Sequence, residues 1–136
     1  MNTRCLSSLF ACASLLLALL IPPAHAAAAA GKSFGSVAVP AGMSALDVKE
    51  VLVISLVQRN WTVTEKTDSR VIGNLKHRGT DATITLTYSA SSVEIHCEGW
   101  KIDKAGVRSK PDIPDGWAEN IKKDVGKRLT IASARK

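Results

Sequence analysis

The chain has 136 residues, with 18 Lys or Arg against 12 Asp or Glu and a formal net charge of +6. That length suits one domain with one modest core. The basic residues are spread along the chain without a nucleic-acid recognition motif, and HExxH, GxSxG, P-loop and CxxC patterns are absent, so nucleic-acid binding and the common motif-bearing enzyme classes are set aside.

The chain opens with Arg4, an apolar run from Leu6 to Ile21, and Ala24-His25-Ala26 at the positions a signal peptidase reads. Residues 1–26 are therefore read as a secretory signal peptide, cut after Ala26. The run is shorter than the ~20 residues of a membrane span, so no stable membrane anchor is expected. Leu9-Phe10-Ala11-Cys12 has the outline of a lipoprotein box, but the apolar run continues past Cys12 to Ile21 and leaves that reading unsupported. Residues 27–32 read as an unstructured Ala-rich start, and 33–136 as the single domain. Cleavage removes Arg4, Cys5 and Cys12, leaving 17 basic and 12 acidic side chains, a net charge of +5, and Cys97 as the only thiol. The expected location is the periplasm, an oxidising compartment. A lone cysteine has no disulfide partner within the chain, which favours burial of Cys97.

Ser33 to Val39 alternates weakly and ends at Pro40, as an edge strand does. Ser44-Ala-Leu-Asp47 is a capping-box variant, and Val48, Val51, Leu52, Ser55 and Leu56 then fall on one helical face. Asn60 suits the left-handed residue that ends such a helix. Four strands are expected next, at Trp61–Lys66, Arg70–His77, Ala82–Tyr88 and Ser92–Glu98, joined too tightly for crossovers and therefore paired antiparallel. Trp100 to Gly116 reads as a polar loop. Asp115 is placed to cap a last helix whose stripe is Trp117, Ile121, Val125 and Leu129.

The heptapeptide EIHCEGW, residues 94–100, gathers the residue types that metals and nucleophilic mechanisms use. In a strand, side chains alternate, so Val93, Ile95 and Cys97 face the core while Glu94, His96 and Glu98 face away. His96 and Cys97 then cannot act as a base–nucleophile pair. No catalytic residue, metal ligand or cofactor is assigned. Three ligands on one straight strand rarely converge on one ion, so a metal-binding protein or small enzyme using His96 with Glu94 or Glu98 stands as the alternative. The expected binding surface is the polar sheet face: Thr83, Thr85, Thr87, Glu94, His96 and Glu98, with Trp100 beside it, for a protein or a glycan. Leu46, Val53, Ile54 and Val57 form a second apolar set on the first helix. They are expected to meet the last helix, or else to bind an envelope protein or a second copy.

Three segments resemble a group of small exported bacterial proteins of uncharacterised function, many described as lipoproteins. VKEVLVISLVQRNWTV is similar to their V-x-x-A-[IL]-x-x-[AG]-L-x-x-R-[GN]-W-x-V pattern. Val71-Ile72-Gly73-Asn74-Leu75 with Ala82-Thr83-Ile84-Thr85-Leu86-Thr87-Tyr88 resembles their two middle strands, and Asp115-Gly116-Trp117 onward resembles their final helix. The resemblance spans residues 44–130 and implies a fold and an envelope location without an activity. Ile113-Pro114 replaces the Ile-His that often precedes their Trp, and the acylated Cys is missing. The expected architecture is a single α+β domain, a mostly antiparallel sheet with two helices on one face, in the order β-α-β-β-β-β-α. The expected role is a non-enzymatic periplasmic binding or accessory protein, with a homo-oligomeric structural module as a further alternative.

Overall fold

The computed structural model describes residues 31–135. The expected signal peptide and nearly all of the Ala-rich start lie outside the described residues. Strand β1 (Lys32–Ala38) opens inside the stretch expected to be unstructured, and Lys32 is held there by Asp115 at 2.8 Å.

Helix α1 (Ala45–Val57) begins as its sequence dictates. The Asp47 amide donates to Ser44 Oγ at 3.1 Å and the Ser44 amide donates to Asp47 Oδ2 at 3.0 Å, a reciprocal cap on two otherwise orphaned donors. Val48, Val51, Leu52, Ser55 and Leu56 are its buried residues. Asn60, at φ 61°, ends the turn that follows, and the Trp61 amide donates back to the Leu56 carbonyl at 3.1 Å.

Strands β2 (Thr62–Lys66), β3 (Arg70–His77), β4 (Thr80–Tyr88) and β5 (Ser92–Ile102) form the expected meander, every pairing antiparallel. The β3–β4 turn is tighter than the sequence suggested. Thr80 pairs with His77, leaving only Arg78 and Gly79 between the strands, at φ 48° and 74°. Two left-handed residues make a turn whose twist matches the flanking strands.

The largest correction lies after Glu98. The expected polar loop, residues 100–116, contains strand at both ends of a hairpin: β5 runs on to Ile102, and the chain turns through Gly106 and returns as β6 (Arg108–Pro111). One edge of β5 pairs with β4. The other is shared end to end, by β1 against residues 92–97 and by β6 against residues 100–102. The sheet order is β1-β5-β4-β3-β2, with β6 in line with β1.

Because β1 and β2 lie at opposite edges, α1 crosses the sheet between them. Helix α2 (Asp115–Ser133) packs beside α1 and on β1 and β5. Ile121, Val125 and Leu129 of the expected stripe are buried, and Trp117, at its head, is half-buried. Asp115 does not cap α2. The N-cap is Pro114, without a side-chain bond, and Asp115 points to Lys32. The segment before α2 is pinned instead on Gly99, where the Asp112 amide donates to the Gly99 carbonyl at 2.8 Å. A Cβ at Gly99 would stand 2.3 Å from the Asp112 carbonyl oxygen, so only glycine permits this crossing. The core between sheet and helices is aliphatic, led by Leu52, Leu56, Ile84, Leu86, Ile95, Ile121 and Leu129. Among the described residues, no helix is long and apolar enough to cross a membrane.

Candidate functional site

Both helices pack on one face of the sheet, and the register sorts the opposite face into cross-strand rows. Arg70, Thr87, Glu94 and Ser36 form one row, and Ile72, Thr85, His96 and Ser33 the next. Then come Asn74, Thr83 and Glu98, and finally Lys76, Asp81, Trp100 and Pro111. Thr83, Thr85, Thr87, Glu94, His96 and Glu98 thus share a face, as their parity requires. Trp100 joins them from within β5, and not from a loop. Thr85 is 8% exposed, drier than a wet face implies, because the larger Ile72 and His96 flank it across the strands.

One end of this face is a charged network. Asp81 is 6% exposed, and burial by itself would raise its carboxyl. Asn74 Nδ2 donates to it at 2.8 Å and Arg108 Nε at 3.0 Å, with Lys76 Nζ at 3.9 Å. These bonds and charges outweigh burial and hold the carboxyl below its ordinary value. Arg108 reaches Asp81 from β6, past β5, so the network ties three strands together. It lay hidden in the sequence because it needs β6, which the polar composition of residues 103–112 disguised.

Cys97 faces the other way. It is fully buried among core residues, and its thiol is pushed up to about 12 by burial, then by the Glu98 and Asp115 carboxylates. A thiol that remains protonated is a poor nucleophile. His77 also lies on the helix side, its ring 5.9 Å from Trp117 and remote from Glu94, His96 and Glu98. Among the described residues, no group of three or more His, Cys, Asp or Glu side chains is arranged to hold a metal ion.

Trp61 and Trp117 are expected from the sequence to be buried where the helices meet the sheet; Trp61 is, at 3% exposed, and Trp117 is half-buried. Trp61 and Trp117 meet edge to face, with centroids 6.3 Å apart, and with Arg59, Leu75, His77 and Asn120 they line a cleft of about 200 Å³. Arg59 is occupied there by Asp124, at 2.7 and 3.3 Å.

The second apolar set of α1 does not find the cover expected from α2. Val53 packs partly against the core, but Leu46, Ile54 and Val57 stay exposed. The helices instead meet through Arg59–Asp124 and a bond from Arg128 Nη2 to Gln58 Oε1.

These features define a small α+β domain with a one-sided antiparallel sheet. No protein-family model matches the chain, and no curated protein matches it.

Proposed function

We propose that the protein is an exported, non-enzymatic binding module of the bacterial cell envelope that engages a protein partner through its bare sheet face. The observation that carries this reading is the set of four rows across β3, β4 and β5: threonines, an amide, both charge signs and an aromatic at one end, with no helix over them. Small molecules are held in concave, largely apolar pockets. A broad face of mixed polarity, edged by the half-buried Trp100, suits a protein surface better. The sealed, protonated Cys97 and its separation from His96 by the thickness of the sheet favour binding over nucleophilic chemistry. Export rests on Arg4, the apolar run and Ala24-His25-Ala26.

Photo-crosslinking in cells tests the surface. A photoreactive residue at Thr83 or Thr87 should give one discrete heavier adduct, weakened by Glu98→Arg. Position Lys127 on α2 should not give that adduct. Silence from the sheet face, or the same adduct from Lys127, overturns the assignment. Intact mass tests export separately: the secreted form should begin at Ala27 without lipid, and a diacylglyceryl mass on Cys12 would contradict it.

A further inference from the structure

Helix α1 reads ALDVKEVLVISLV, with Asp47, Lys49, Glu50 and Ser55 as its only polar residues. A helix apolar nearly all round is normally buried on every side. This one is buried against the sheet and along one flank by α2, and its outward face is bare. Five large apolar side chains are exposed among the described residues, and four of them lie on the helices: Leu46 at 70%, Val57 at 55%, Ile131 at 42% and Ile54 at 37%. Between α1 and α2 runs an open groove of about 440 Å³, with Asp47, Glu50 and Ile54 on one bank and Arg128, Ile131 and Arg135 on the other. One bank is acidic and the other basic.

The strand edges are poor routes to self-assembly. Strand β2 is short, bulged between Val63 and Glu65, and ends in Lys66. Strand β1 is bulged between Ser33 and Ser36, and β6 ends in Pro111. Bulges, lysine and proline are the devices that stop strand edges from pairing with another chain.

We infer that the α1–α2 face is the interface of a two-fold symmetric dimer, in which the acidic α1 bank of one copy lies on the basic α2 bank of the other. The two helices run antiparallel, since Gln58 and Arg59 at the end of α1 meet Arg128 and Asp124 in the middle of α2, while Asp47 and Glu50, at the start of α1, face the last turns of α2 towards Arg135. A two-fold axis along the groove therefore stacks α1 on the partner copy's α2 at the same height. Acid meets base along both seams, exposed Ile54 lies over exposed Ile131, and Leu46, 70% exposed, lies at the end of the seam. A two-fold axis across the groove would stack like banks on each other and lose that complementarity. A self-complementary patch is what a two-fold interface requires. The inference stands apart from the sheet-face reading, which uses the opposite side of the molecule.

Sedimentation equilibrium of the purified secreted form decides it. The expected mass rises from one chain towards two with concentration. Leu46→Ser should push the equilibrium back to single chains without lowering the melting temperature of the monomer. Glu50→Lys should raise the dissociation constant by about tenfold, and adding Arg135→Glu should restore it, as expected for a charge pair across an interface. A chain that stays single at every concentration overturns the proposal, and its binding to phosphatidylglycerol vesicles would then name a lipid surface as the occupant. A dimer indifferent to Leu46→Ser and Glu50→Lys but broken by Thr83→Arg overturns it as well.

Discussion

Cys97 and Asp81 show how one strand position apart from its neighbour decides chemistry. The Cys97 thiol is pushed up to about 12 by the core around it, above the ordinary ~8.5 it regains on unfolding. A raised value leaves stability intact below the unfolded value and removes it as pH climbs towards the folded one. Unfolding titrations should therefore show stability falling above about pH 9, by at most ~1.4 kcal/mol per pH unit from this group. Cys97→Ala should flatten that decline while costing about 1 kcal/mol at neutral pH through a small cavity. A native thiol that reacts rapidly with Ellman's reagent would place it on the wrong face. Asp81 runs the opposite way. Its carboxyl is held low by Asn74, Arg108 and Lys76 against the cost of burial, so its contribution is present above the unfolded value near 3.9 and is lost as pH falls through the folded value. Asp81→Asn should cost about 1–2 kcal/mol at pH 7 and make the acid limb of a stability–pH profile shallower. An unchanged acid limb would mean the network does not hold that proton off.

At the scale of elements, the sequence was most readable where local chemistry and hydrophobic period agree. Ser44 and Asp47 mark the start of α1, Asn60 the end of its turn, and the buried face falls on the expected positions. Strand parity through residues 93–98 is readable for the same reason. The failures have a common cause, which is that long-range pairing overrode composition. Gly99 looked like a strand break, yet it stays in β5 because the chain at Asp112 crosses directly over it. Residues 108–111 are too polar to announce a strand, and they become one only because β5 offers them an edge. Arg78-Gly79 hid its turn because Arg is an unusual left-handed residue. The candidate surface was readable as a face, since parity alone assembles it, whereas the Asp81–Arg108 link across β5 was not. Trp100 changes its meaning accordingly. As part of β5 and half-buried, it supports the sheet, so Trp100→Ala should cost about 1–3 kcal/mol, against ~3–5 for the buried Trp61→Ala. At ~4–8 °C of melting temperature per kcal/mol, thermal melts separate the two. Equal melts would show that the end of the bare face is as deeply packed as the Trp61 corner.

For the whole molecule, the placement of β1 has a kinetic consequence. Strands β3, β4 and β5 are sequence neighbours joined by short turns, and their pairings close quickly. Strand β1 must instead find β5 across α1 and three other strands, with pairs such as Lys32–Cys97 separated by roughly sixty positions, a costly loop to close before any reward is gained. The first strand of the chain is therefore expected to be the last to dock. Pulsed hydrogen exchange during refolding should protect the amides of β4 and β5 that bond to each other before those of β1, and Val37→Ala should speed unfolding while leaving the refolding rate nearly unchanged. Early protection of β1 would reverse that order. Until β1 arrives, the 92–97 edge of β5 stands open beside the groove that α2 must close, so a newly made chain passes through a stage in which that strand edge is available to a chaperone, a protease or another copy, and the speed of that one late pairing sets how long the exposure lasts.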